Sequence, residues 1–271
     1  MMQIQLAVFD LDGTLMGDDL RISQRVREAV AGALEEGVTV TIATGRMFTA
    51  TLAFARELGI SAPLLSYQGG WIQAPDDTEP RYRIPLSAEV TRQALQLAEQ
   101  ESWHTALYAD GAIYMRQLHY PPTFYEQLLG EDYRMVDAWD EVLAQRTADK
   151  VLFIAEPERI PAMGERLRAV MGDQAEIFRS HAKFIEVVPR GVDKGRGLAW
   201  LASHLGVAQE AVMGVGDQEN DVPLVRWAGL GVAMGNAAPA VKEAADWVAP
   251  PLEEDGAAVA IERFVLQKGV P

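Results

Sequence analysis

The hydrophobic positions along this chain change period twice. Near the N-terminus, Ile4, Leu6, Ala7, Val8 and Phe9 form a short apolar run of buried-strand length. After Ser23, a good helix N-cap, Val26, Val30, Ala33 and Leu34 recur at helical spacing until Gly37 closes the turn. Val38–Ala43 is continuous and β-branched, as in a parallel strand buried on both faces. A helical stretch from Phe48 to Leu58 ends at Gly59, and Leu64–Tyr67 predicts a third strand. This strand–helix alternation predicts a doubly wound parallel sheet.

The pattern breaks at the polar, proline-containing stretch Pro75–Pro80. A helix is predicted from Ser87 to about Glu101, with Val90, Ala94, Leu97 and Ala98 on one face. Thr105–Tyr108 and Ala112–Met115 flank Asp110-Gly111, a strong hairpin signal. Val151–Ala155, Ala175–Phe178 and Phe184–Val188 read as strands, and Ile160–Met171 as a helix. Strands and helices no longer alternate here, which is an α+β pattern. After Pro189 and Gly191 the first pattern returns. Asp193 can cap a helix to His204, followed by short strands at Ala211–Val215 and Gly229–Ala233 with a helix near Val222–Trp227 between them. The expected organisation is a discontinuous α/β core, residues 1–82 and 190–271, interrupted by an α+β domain at 83–189.

Composition narrows the function. The 271 residues carry a net charge of −15, so nucleic acid and anionic lipid are poor partners, and an anionic substrate would need a local positive site. There is no cysteine, which removes disulfides, thiolate catalysis and cysteine-ligated zinc. The four histidines show no metal-ligand spacing. With no basic signal region and no apolar run of membrane-spanning length, a soluble cytoplasmic protein is expected.

Four clusters carry chemistry, each at a predicted strand end or helix start. In Phe9-Asp10-Leu11-Asp12-Gly13-Thr14 two carboxylates follow the first strand, an arrangement suited to a hard cation and to attack on phosphorus. Taken alone it is equally an acidic turn. Thr44-Gly45-Arg46 follows the second strand and offers a hydroxyl, a close backbone approach and a guanidinium to phosphate oxygens, although such triplets are common in loops. Lys194 opens a helix whose dipole adds to its own charge. In Gly214–Asp221, Asp217 ends a strand as Asp10 does, and Asn220 and Asp221 lie on the turn beyond it. Ligands of open α/β sheets bind outside the carboxyl ends of the strands, so the four clusters should converge. An all-oxygen site with few protein ligands points to Mg²⁺.

These four segments resemble the signature motifs of the haloacid dehalogenase superfamily. Asp10–Thr14, Thr44–Arg46, Asp193–Gly195 and Gly216–Asp221 match in order along essentially the whole chain. The large α+β insertion after the third strand resembles the Cof-like sugar-phosphatase branch, as do Ala245–Ala249 and Glu254–Gly256. At Tyr67-Gln68-Gly69-Gly70 the chain departs from the Asn-Gly-Ala usual in that branch. The resemblance implies a Rossmann-like core with an α+β cap that closes over the crevice and excludes macromolecular substrates. It implies Asp10 as a nucleophile forming an aspartyl-phosphate, and Asp12 as general acid and then base. It places Mg²⁺ on Asp10, the backbone carbonyl of Asp12, and Asp217. Thr44, Lys194 and Asn220, with backbone N–H groups near Leu11 and Gly45, would hold the phosphoryl group. Asp221 would orient Lys194 or a metal-bound water, and Arg46 would contact phosphate or sugar, or pair with a core carboxylate. The expected substrate is a small phosphorylated metabolite such as a sugar phosphate. Asp12 favours a phosphatase over a dehalogenase, because an alkoxide leaving group needs a proton and a halide does not. A phosphomutase and a phosphate-binding protein without turnover are the alternatives.

Overall fold

The computed structural model describes residues 3–121, 123–125 and 133–267. Among these residues no helix is long and apolar enough to cross a membrane. The chain divides into two compact units. One comprises Met1–Gly45, Thr51–Tyr82 and Asp193–Pro271, and the other Arg46–Ala50 and Arg83–Val192.

The first run of the chain gives β1 (Leu6–Phe9), α1 (Gln24–Glu35), β2 (Thr39–Ile42), α2 (Phe48–Glu57), β3 (Leu64–Ser66), β4 (Trp71–Gln73) and β5 (Tyr82–Arg83). The Ser23 hydroxyl accepts the N–H of Val26 and so satisfies one orphan donor of α1. β3 is shorter than its apolar run suggests. Tyr67 leaves the strand for a 3₁₀ turn through Gly69, and the chain then reverses into β4. β3 joins β2 through the single parallel bridge Ala43–Leu65. The polar stretch at 75–80 is therefore the connection between β4 and β5, neighbours in a three-stranded sheet.

The second unit contains α3 (Ala88–Gln100), β6 (His104–Ala109), β7 (Ala112–Met115), β8 (Tyr133–Met135), α4 (Trp139–Leu143), β9 (Ala148–Ile154), α5 (Ile160–Met171), β10 (Ala175–His181) and β11 (Phe184–Pro189). Its six strands run in the order β10-β11-β9-β6-β7-β8. All pairings are antiparallel except β7 with β8. Leu107, Val151, Phe153, Ile185 and Val187 alternate onto one face and pack against Val90, Ala94, Leu97, Met163 and Leu167 of α3 and α5. Each fully buried side chain of this size stabilises the fold by roughly 1.5–3 kcal/mol.

The chain then returns with α6 (Lys194–Leu205), β12 (Val212–Gly216), α7 (Val222–Trp227), β13 (Leu230–Ala233), α8 (Pro239–Ala244), β14 (Trp247–Val248) and α9 (Gly256–Phe264). The first unit's parallel sheet has the order β14-β13-β12-β1-β2. Leu6, Val8 and Val212 bury one face of it against Leu198, Leu201 and Leu224 of α6 and α7. β1 lies between β12 and β2, with Phe9 level with Val215 on one side and Ile42 on the other.

Candidate active site

That register brings the chemistry together. Asp10 follows β1, Thr44 lies two residues beyond β2, and Asp217 follows β12. Neighbouring strands lie about 4.8 Å apart, so residues at the same level of adjacent parallel strands become neighbours. The Asp10 N–H donates to the Val215 carbonyl at 2.9 Å, and the Ala43 N–H to Phe9 at 2.8 Å, carrying the ladder to the sheet edge. Beyond Asp10 the chain wraps on itself. The Leu15 and Met16 N–H groups both donate to the Leu11 carbonyl, and the Gly13 N–H donates to Met16. Gly13 has φ +83°, and a Cβ there would overlap the Asp217 carboxylate. The residue is thus fixed as glycine twice over, by its backbone conformation and by the carboxylate beside it. The next hydroxyl, Thr14 Oγ1, donates to Asp217 Oδ1 at 3.0 Å.

Lys194 is fully buried at the first position of α6, whose N-cap Asp193 accepts the N–H of Arg196. Its Nζ lies 2.6 Å from Asp10 Oδ1 and 2.5 Å from Asp221 Oδ1. The other Asp221 oxygen accepts the N–H groups of Asp217 and Gln218 at 2.9 and 3.0 Å. Gln218 Nε2 donates to Asp217 Oδ2 at 2.9 Å. Asp10, Asp217 and Asp221 are all buried, and each offers an oxygen within 4.8 Å of the others.

Three buried carboxylates against one ammonium leave this cluster over-supplied with negative charge. Burial and the Asp221 charge hold the Asp10 carboxyl well above the ordinary carboxylate range, against the pull of Lys194. Burial, then Asp221, pushes Asp217 up to about 7. Burial by itself would lower the Lys194 ammonium. Its ion pairs with Asp10 and Asp221 more than reverse that, so it is held charged. A divalent cation among these oxygens would relieve the excess, and the all-oxygen donor set suits a hard ion. Asp12 is half-buried and adds to the negative charge felt by Asp10.

Asn220 is buried on the turn between β12 and α7. Its Nδ2 donates to Gln68 Oε1 at 3.0 Å, while its Oδ1 has no hydrogen-bond partner. Thr44 is buried and donates its N–H to Leu65 at 2.8 Å, and its carbonyl accepts the Gln68 N–H at 3.0 Å. Gly45 is half-buried. Arg46 groups with the second unit. There its charge opposes the burial and the Glu186 charge that raise Tyr108, and it reinforces the burial that lowers Lys150.

Three polar residues of this region carry no role in the motif reading: Thr14, Gln218 and Gln68. Gln218 directly follows Asp217 and Thr14 lies two residues after Asp12, so closeness in sequence to the motif carboxylates was a usable signal. Gln68 meets Asn220 across 152 residues, and only the departure of its loop from the usual Asn-Gly-Ala marked it out.

The chain is similar to known proteins along nearly its whole length. Residues 7–261 match the family model for haloacid dehalogenase-like hydrolases. The chain is 32% identical over 266 residues to the 5-amino-6-(5-phospho-D-ribitylamino)uracil phosphatase YcsE of Bacillus subtilis strain 168, covering 97% of this chain and 96% of the relative. It is 28% identical over 273 residues to YitU, a phosphatase of the same name from that organism, covering 96% and 97% respectively. A haloacid dehalogenase-like hydrolase from Bacteroides thetaiotaomicron has a crystal structure that superposes with a TM-score of 0.84 at 32% identity, covering 96% of this chain and 99% of that one. With the match spanning both runs of the parallel sheet and everything between them, the chain belongs to the haloacid dehalogenase-like hydrolases.

Proposed function

We propose that the protein is a Mg²⁺-dependent phosphatase of small phosphorylated metabolites that works through an aspartyl-phosphate on Asp10. The observation that carries this reading is the buried Lys194 ammonium bridging Asp10 and Asp221, with Asp217 alongside. The arrangement holds a carboxylate nucleophile beside fixed positive charge in a dry setting, where electrostatic stabilisation is worth most.

In the first step an Asp10 oxygen forms a bond to phosphorus as the bond to the ester oxygen breaks. Asp12 gives its proton to the leaving alcohol. In the second step Asp12 takes a proton from water, whose oxygen attacks phosphorus, and Asp10 is released with inorganic phosphate. Lys194, Thr44, Asn220 and the N–H groups of Leu11 and Gly45 hold the phosphoryl oxygens throughout. Asp10, Asp217 and the Asp12 carbonyl would hold Mg²⁺, with Asp221 beside them, and the ion would offset phosphoryl charge that these carboxylates otherwise repel. Residues 1–82 and 190–271 form the catalytic core in this reading, and 83–189 a cap that selects the leaving group. Two relatives are named for a phosphoribityl substrate, so phosphomonoesters of polyols and sugars head the substrate list.

The test is phosphate release from a panel of such esters, with and without Mg²⁺, beside Asp10→Asn. The expected result is metal-dependent release that falls by at least ~10³-fold in the variant, since no nucleophile remains. Release that survives in Asp10→Asn would remove the aspartyl-phosphate. An isomerised ester instead of free phosphate would mean a mutase, and Mg²⁺ and phosphate binding without turnover would mean a binding protein.

A further inference from the structure

We propose that Gln68 is a positioning residue: its side-chain oxygen fixes the plane of the Asn220 amide so that the second Nδ2 hydrogen is presented to the transferring phosphoryl group. The inference rests on the reading of Asn220 as a phosphoryl ligand and deepens it.

An asparagine amide is nearly symmetric in shape but not in chemistry. One orientation offers a donor NH₂, and the orientation half a turn away offers an acceptor oxygen that a phosphate oxygen would repel. Something must choose between them. Among the described residues, the Gln68 oxygen at 3.0 Å is the one hydrogen-bond partner of the Asn220 side chain, and Asn220 Oδ1 has none to anchor it from the other side. Gln68 therefore holds one Nδ2 hydrogen and sets the direction of the other.

The backbone is shaped to deliver this contact. Tyr67 and Gln68 both adopt left-handed conformations, with φ of 49° and 60°, which bulky residues rarely take. Such strain persists where the surroundings over-determine it, and it concentrates at functional sites. Here the Gln68 N–H is tied to the Thr44 carbonyl at 3.0 Å, and Gly69 packs against the Asp193 carbonyl just before Lys194. Gln68 is fully buried. One residue in a strained turn thus connects Thr44, Asn220 and the start of α6. The competing account is that two buried amides simply satisfy each other as packing. That account predicts a loss of folded protein and no energetic coupling to phosphate.

The experiment is a double-mutant cycle of Gln68→Met and Asn220→Ala, read as kcat and KM for p-nitrophenyl phosphate with Mg²⁺ and as binding of inorganic phosphate by calorimetry. Losing one charge-facing hydrogen bond should lower kcat/KM about 10- to 100-fold in Gln68→Met, mostly in kcat, because the contact matters most in the transition state. In the Asn220→Ala background the same substitution should change nothing further. If Gln68→Met does not fold, Gln68→Gly tolerates the left-handed backbone and replaces it in the cycle. Losses that multiply in the double variant, a Gln68 variant as active as wild type, or activity recovered merely by cooling would each overturn the proposal. Wild-type protein that hydrolyses no ester would sink the phosphatase reading instead. The phosphate-binding cycle then decides the inference, and a Gln68 variant binding phosphate as wild type does, or no phosphate binding at all, overturns it.

Discussion

His104 shows how one residue's surroundings, and not its type, set its role. It is 5% exposed on β6, with its ring stacked on His119 at 4.3 Å. The Tyr125 hydroxyl accepts the N–H groups of His119 and Tyr120 at 2.8 and 3.0 Å, so its own hydrogen is left to donate to His104 Nε2 at 2.9 Å. That donation requires a neutral ring with its proton on Nδ1. Burial, helped by the His119 charge, lowers the His104 pKa from 6.5 to about 4. Between those values the unfolded chain binds a proton that the folded ring refuses. The stabilisation is therefore complete above about pH 6.5 and is lost as pH falls towards 4. After allowance for residual solvent screening the effect is about 2 kcal/mol. His104→Gln keeps an acceptor for Tyr125 but does not titrate. Urea unfolding of both proteins at pH 7 and 4.5 should show wild type losing about 2 kcal/mol more than the variant. A difference that stays constant with pH would mean His104 titrates as an ordinary surface histidine.

At the scale of elements, the turn from β1 to Thr14 is where backbone geometry and chemistry coincide. Gly13 and Gly37 have similar left-handed backbones, with φ of +83° and +78°. A Cβ on Gly37 would meet nothing within 4 Å, whereas one on Gly13 would collide with Asp217. Gly37→Ala should therefore cost only the backbone strain, about 1 kcal/mol, and leave turnover intact. Gly13→Ala adds displacement of a buried carboxylate, so a loss of about 3 kcal/mol or more is expected together with most of the activity. Equal costs from the two substitutions, measured by chemical denaturation, would show that the turn yields without disturbing Asp217. The ion pairs of Lys194, one of them to Asp10 at the start of this turn, obey the same logic of context. Lys194 is useful because it is buried between two carboxylates, whereas exposed pairs such as Arg27–Glu57 contribute little.

For the whole molecule, the net charge of −15 is the dominant long-range term. Self-repulsion among the acidic groups opposes folding and is screened by salt. Raising NaCl from about 20 to 150 mM should therefore raise the Tm by a few degrees, as followed by circular dichroism. A fall in Tm would mean that attractive pairs outweigh the repulsion. The same acidity surrounds a site proposed to take an anion, which is why Lys194, held charged, matters to the molecule beyond its own contacts.

The sequence by itself determined the alternation of strands and helices in the parallel sheet, because each element's own period and caps specify it. Ser23, Gly37 and Asp193 mark boundaries that the backbone follows. It also determined Asp10 and Asp217 as strand-end carboxylates, since short motifs after apolar runs are local statements. Local pattern could not decide three things. β4 and β5 carry too few residues for a period, and pairing with a partner defines them. The place of Asp221 among the buried carboxylates is a distance between two loops joined by a lysine from a third segment. Gln68 meets Asn220 across 152 residues through a left-handed turn that no propensity favours. Contacts of that kind exist only once the strands have paired in register, because the sheet brings those loops within reach of one another.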